Sequence, residues 1–88
     1  MSFRLSWSPA ALDQLAAALE WSRPQGEAVV NAMEWMAATG LSLGRRVRDT
    51  DEYYWPVPPL GVFYAIDAGT LEVVEVVDRR RRAAREPE

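Results

Sequence analysis

Two arginine clusters dominate the chemistry that this 88-residue chain can offer. Arg79, Arg80, Arg81 and Arg82 follow one another directly after the valine-rich stretch LEVVEVVD, and Arg45, Arg46 and Arg48 lie together in GRRVRD. A guanidinium is permanently charged and presents a planar fork of donors that matches phosphate and carboxylate oxygens. Both clusters are therefore candidates for gripping a nucleic-acid backbone or an acidic peptide. A plainer reading stands beside this one. All ten basic residues are Arg and none is Lys, which is what codon bias in a GC-rich genome produces. A charged tail also keeps a valine-rich strand in solution.

The residue types that are missing exclude much chemistry. The chain has no histidine and no cysteine. A Ser–His or Cys–His nucleophile, a thiolate metal site, a disulfide and a His-liganded zinc are all ruled out. Acid–base work would fall to carboxylate, Tyr or Arg, and neither a metal nor a cofactor is expected. Asp49, Asp51 and Glu52 lack the glycine and distal glutamate of a calcium loop, so they read as a polar turn. Strict alternation puts Glu72 and Glu75 on opposite faces of a strand, where they cannot act as a pair. Tyr53, Tyr54 and Trp55 can stack on bases, but packing at a sheet edge is the simpler reading.

Charge is unevenly spread. Residues 1–78 carry five Arg against eleven Asp and Glu, net −6; residues 79–88 carry five Arg against two Glu, net +3; together these give the whole-chain −3. A pI near 4.9 argues against long-range steering toward nucleic acid, although a local patch can still bind.

The elements that position these residues are legible from periodicity. SFRLSW alternates, with Phe3, Leu5 and Trp7 on one side, and reads as a strand. Ser8 is a good N-cap and Pro9 suits the first helical turn. Leu12, Leu15, Ala16 and Leu19 at helical spacing predict a helix over 9–22. Pro24 opens a second helix whose stripe is Val29, Ala32, Met33 and Met36, ended by Gly40. Trp21 and Trp35 fall off both stripes and are expected to fill the crevice between the helices. GRRVRD is loop or strand and DTDE a turn. YYWPVPP reads as an edge strand, because Pro56 and Pro58 remove two donors from one edge. VFYAID, AGT and LEVVEVVD form a hairpin. Val74 and Val76 are expected on one face of its last strand, with Leu71, Val73 and Val77 on the other. Both faces are then mostly apolar, which makes this strand central and leaves one sheet face open to a partner. The expected fold is α+β: β-α-α-β-β-β, an antiparallel sheet packed on an N-terminal helix pair. One domain spans 1–82, with 83–88 a frayed tail. No run is long and apolar enough to span a membrane, and MSFRLSWSPA lacks the apolar core of a signal peptide. A soluble cytoplasmic protein follows as the expectation.

With this order of elements in hand, the chain resembles the RelE/ParE superfamily of bacterial type II toxins. FRLSWSPAALDQL is similar to the family's opening strand and helix, VFYAID to its middle strand, and LEVVEVVDRRRR to its last strand running into a basic pair. The likeness spans about residues 3–82. In the RNA-cleaving branch it implies a catalytic Arg after the last strand, which Arg80 matches. The family's other basic positions fall near Leu60, Gly61, Trp55 and Val57, which are not basic here. Arg46 and Arg48 are the stand-ins if their loop folds over the open face, with Val47 turned inward. Arg80, Arg46 and Arg48 are thus the catalytic candidates. Arg45, Arg79, Arg81, Arg82 and Tyr64 are candidates for contacting nucleic acid or an acidic partner.

The resemblance implies a toxin checked by a cognate small antitoxin that lays an amphipathic helix or strand on it. Its target would be the ribosome and its mRNA, cut by an arginine-assisted attack of the ribose 2′-hydroxyl, or DNA gyrase, inhibited without catalysis. The alternative is a non-toxic binding module that kept the fold and lost the site. A homodimer is compatible with all three.

Overall fold

Ser8 ties the first strand, the first helix and the last strand together. In the computed structural model, which describes residues 1–80, strand β1 (Arg4–Trp7) leads through Ser8 into helix α1 (Pro9–Trp21). The Ser8 hydroxyl oxygen accepts from the Ala11 amide at 3.0 Å as an N-cap, and its hydroxyl donates to the Val74 carbonyl at 2.8 Å. Its amide donates to the Val73 carbonyl at 2.9 Å. One side chain therefore satisfies an orphan donor of the helix and anchors the chain to the sheet.

Helix α2 (Arg23–Thr39) follows after the single residue Ser22 and closes on Gly40 at φ 72°, the left-handed conformation that suits glycine. The helices approach closely at Gly26, where a Cβ would meet the Leu19 side chain. The remaining strands are β2 (Arg45–Arg46), β3 (Glu52–Val57), β4 (Leu60–Asp67) and β5 (Thr70–Asp78). Their order is β1-β5-β4-β3-β2. The α+β class and the six expected elements are present in order, with the two-residue strand β2 added between α2 and β3 and with one correction. The sheet is mixed rather than antiparallel, because β1 runs parallel to β5.

The β3 strand lies inside the sheet for half its length. β2 pairs only with Tyr53 and Tyr54, so Trp55–Val57 has no strand on that edge among the described residues, and there Pro56 lacks the donor that a passing strand would seek. Pro58 is not in the strand; with Pro59 it forms the turn to β4.

A β-bulge decides which side chains face the helices. Pairing shifts between Phe63, opposite Glu75, and Tyr64, opposite Val73, which leaves Val74 as the extra residue. The alternation of β5 therefore changes phase at Val74. Leu71, Val73 and Val76 all lie on the helix side and are buried, in place of the split expected from strict alternation. They pack with Val29, Met33 and Met36 of α2, Ala11 and Ala18 of α1, and Val62 and Tyr64 of β4. α1 presents small residues to the sheet, and Leu12 turns out to solvent at 51% exposure. Trp21 and Trp35 do not fill the interhelical crevice; they are 50% and 48% exposed. The helices meet through Gly26 and Leu19, and that close approach leaves no room for an indole.

The edge of β5 beyond the reach of β1 is closed by α1 side chains. Ser8 takes the Val74 carbonyl, and the Gln14 amide oxygen accepts from the Val76 amide at 2.6 Å. A helix thereby supplies the hydrogen bonds that a further strand residue would make.

Candidate functional site

The sheet face turned away from the helices is the candidate site. Paired residues share a face, so the register lays out what that face carries. One row holds Arg45, Tyr54, Phe63 and Glu75. The next, toward the Asp67–Thr70 turn, holds Glu52, Ala65, Glu72 and Ser6. In the other direction Pro56, Gly61 and Val77 lead to Arg79. Glu72 and Glu75 therefore share this face, where strict alternation had separated them; the bulge at Val74 brings them together.

A groove at one end of the face is lined by Leu43, Arg45, Tyr54, Trp55, Pro56 and Arg79. Tyr54 forms its floor. Its ring lies across Gly61, where any Cβ would collide with it, and packs on Phe63 at a centroid distance of 5.0 Å. Arg79 is fixed at its backbone, where its amide donates to the Pro59 carbonyl at 2.9 Å. Arg45 is held by pairing of β2 with Tyr54. Neither guanidinium has a carboxylate partner among the described residues. Two exposed cations flanking an aromatic ring can seat a phosphodiester or a carboxylate. Among the described residues the groove lining contains no carboxylate, and the chain has no histidine, so the groove has the chemistry to seat an anion but offers no strong proton acceptor.

The other arginines are elsewhere. Arg80 is on the helix side. Its guanidinium meets both oxygens of the Asp78 carboxylate, at 3.3 and 3.2 Å, and lies 4.6 Å from the centre of the Trp21 ring. Its amide also donates to Asp78 at 3.0 Å. Arg46 faces away from Arg45; its Nε donates to the Thr50 carbonyl at 3.0 Å and its head lies 3.9 Å from Asp51. Arg48 is exposed on the turn between β2 and β3. The catalytic candidates Arg80, Arg46 and Arg48 are thus not brought together. Of the binding candidates, Arg45 and Arg79 meet at one groove, while Arg81 and Arg82 lie outside the described residues.

Tyr64 corrects the sequence reading most sharply. It is 0% exposed on the helix side, so it cannot touch nucleic acid. Its hydroxyl bonds Ser42 Oγ at 2.8 Å and accepts from the Gly44 amide at 2.8 Å, and its ring stacks on Tyr53. It pins the segment that delivers β2, and so positions Arg45 from behind. Sequence reasoning weighed Tyr54 for stacking on bases but preferred edge packing, and it missed Trp21 and Asp78 as the partners of Arg80. The Asp78–Arg80 spacing was the visible signal for the second of these.

No family model and no curated protein matches the chain. Solved structures do. The YoeB dimer from Staphylococcus aureus is 11% identical, with 88% of this chain and 97% of that chain covered and a TM-score of 0.69. The YoeB–YefM complex from the same organism has the same identity and coverage and a TM-score of 0.70. A chain of the chromosomal ParDE TA system from P. aeruginosa is 11% identical, covered over 96% of its length, at a TM-score of 0.72. Nearly the whole length of each chain is matched, and the fold of this protein is the α+β fold of those YoeB and ParDE structures.

Proposed function

We infer that the chain is the toxin-like component of a type II toxin–antitoxin pair, and that it inhibits growth by gripping its target through the Arg45–Arg79 groove rather than by cutting RNA. The observation that carries this reading is the separation of the arginines. Arrangement for cleavage calls for basic side chains converging on one scissile phosphate. Among the described arginines only Arg45 and Arg79 line the groove, and Arg80 is held on the opposite side by Asp78 and Trp21. The groove offers binding without a proton acceptor, which fits inhibition of a target such as DNA gyrase better than ribosome-dependent mRNA cleavage. The fold supports the toxin class, and the complexes among its structural neighbours support a small antitoxin as partner.

Expression of the chain alone in a bacterial host, with growth followed and mRNA 5′ ends mapped, tests this. Arrest with intact mRNA is expected. New cuts inside translated codons would replace the reading with the nuclease. Normal growth with soluble protein present would leave a non-toxic binding module.

A further inference from the structure

The groove at Arg45 and Arg79 is bordered on the open face by three carboxylates. β5 carries Glu72, Glu75 and Val77 on this face, and Arg79, just past its end, lines the groove. Glu75 shares a row with Arg45 but lies three strands away, with Tyr54 and Phe63 between them. Glu52 stands one row from Tyr54 on β3, opposite Ala65. Arg23, Arg46 and Arg80 each have a carboxylate nearby, whereas Arg45, Arg79, Glu52, Glu72 and Glu75 have no ion-pair partner among the described residues. The groove is also half apolar: Leu43, Trp55 and Pro56 line it beside the arginines, and Leu43 is 45% exposed.

We propose that the open face reads a protein segment of mixed charge rather than a nucleic acid. A carboxylate with an apolar side chain next to it enters the groove, and basic side chains of the same segment lie over Glu52, Glu72 and Glu75. The two guanidinium forks match a carboxylate, and Leu43, Trp55 and Pro56 cover the apolar neighbour. The face thus takes an anion at this end and cations beyond it. A nucleic-acid strand carries a phosphate on every nucleotide. One that seats a phosphate in the groove and runs on across the face sets the next ones against three carboxylates. The net charge of −3 adds to that repulsion. A segment with its basic residues three or four positions from its carboxylate has no such conflict. At about 3.3 Å per extended residue it spans roughly 10–13 Å, which is about the distance along β5 from Arg79 to Glu75. The inference rests on the reading of this groove as the target-binding site, and it names the chemistry that enters.

NMR titration of the isotope-labelled full chain at about 0.15 M salt is the test, with the Trp55 indole and the Arg45 and Arg79 amides as reporters. The probes are an acetylated and amidated peptide Lys-Lys-Gly-Gly-Glu-Leu, its Gln counterpart, an acetylated Lys-Lys-Gly-Gly-Leu with a free carboxyl end, and a short oligothymidylate. The glutamate peptide, the free-carboxyl peptide or both shift the reporters, and which one does so tells a side-chain carboxylate from a chain end. Arg45→Gln/Arg79→Gln weakens binding about tenfold or more. Gln in place of the peptide's Glu does the same for a side-chain carboxylate, as amidation does for a chain end, and these two changes read the contact if the variant fails to fold. Glu72→Gln/Glu75→Gln weakens the peptide about two- to fivefold and tightens the oligothymidylate. An oligothymidylate that binds the wild type more tightly than either peptide assigns the face to nucleic acid and overturns the proposal. Reporters unmoved by both peptides, or peptide binding unchanged by Glu72→Gln/Glu75→Gln, overturn it too. Growth arrest that depends on Arg45 and Arg79 while neither peptide binds removes this inference and keeps the groove as the target site. Peptide binding by a chain that does not arrest growth does the reverse.

Discussion

Arg79 and Arg80 are neighbours in the chain and serve opposite faces of the sheet. Arg79 lines the groove with Arg45 and Tyr54. Arg80 folds back on Asp78 and covers Trp21 of α1. Both residues lie just past the end of β5 at Asp78, in a helical turn, and the Arg79 amide, bonded to the Pro59 carbonyl, fixes where the chain leaves the sheet. This divides the arginine run into a binding residue and a packing residue.

Replacing Arg80 with Ala should therefore cost stability and leave the groove intact. The Asp78 contact is partly exposed and is worth little, and the contact over the Trp21 ring contributes about 0.5–1 kcal/mol. Thermal unfolding should drop by about 4–8 °C at most, in keeping with a loss of no more than about 1 kcal/mol. Growth inhibition by Arg80→Ala should match the wild type. Loss of inhibition with the fold unchanged would return Arg80 to the site.

Tyr64→Phe separates a positioning role from a contact role. The change leaves the ring stack on Tyr53 and removes both hydroxyl bonds, to Ser42 and Gly44. Each bond contributes about 0.5–1.5 kcal/mol, so denaturant unfolding should give a loss of about 1–3 kcal/mol. Amide exchange at Gly44 should quicken, while exchange in α1 stays slow relative to the new global stability. An unchanged Gly44 amide would contradict the pinning of this segment.

Ser8→Ala removes a helix cap and a strand anchor in one step. Cap loss alone costs about 1 kcal/mol, and the freed Val74 carbonyl adds to it. Ser8→Asp keeps a cap acceptor but cannot donate to that carbonyl. It should recover only part of the loss in urea titration. Full recovery would mean that the Val74 bond contributes nothing.

The Ala68–Gly69 turn offers a stabilising change. Ala68 has φ 51° and Gly69 φ 80°, the two positive values that a two-residue hairpin loop requires. Alanine in the left-handed region is strained by about 1 kcal/mol. Ala68→Asn or Ala68→Gly should raise the midpoint of unfolding by a few degrees. A lower midpoint for both would show that the turn carries no such strain.

The sequence made the element order readable because the period-2 and period-3.6 stretches are separated by Pro24, Gly40 and the Ala68–Gly69 turn. The site was less readable for two physical reasons. The bulge at Val74 carries no residue signature of its own; the run VVEVV suits either phase, so Glu72 and Glu75 were put on different faces. The side on which each arginine falls depends on register, which Arg45 takes from Tyr54 and Arg79 from Pro59. Tyr64 reads as a polar aromatic at a functional position, and only its burial beneath Ser42 and Gly44 reveals a structural role. The parallel pairing of β1 is a long-range choice, made by the Ser8 and Arg4 bonds to the far end of the chain.

The most direct test is growth of a bacterial host expressing Arg45→Ala/Arg79→Ala beside the wild type, with both proteins shown to be folded and equally abundant. The wild type is predicted to arrest growth, and the double variant to lose most of that effect because its groove no longer holds an anion. Undiminished arrest by the double variant, or no arrest by the wild type, would contradict a target-binding groove on the open sheet face.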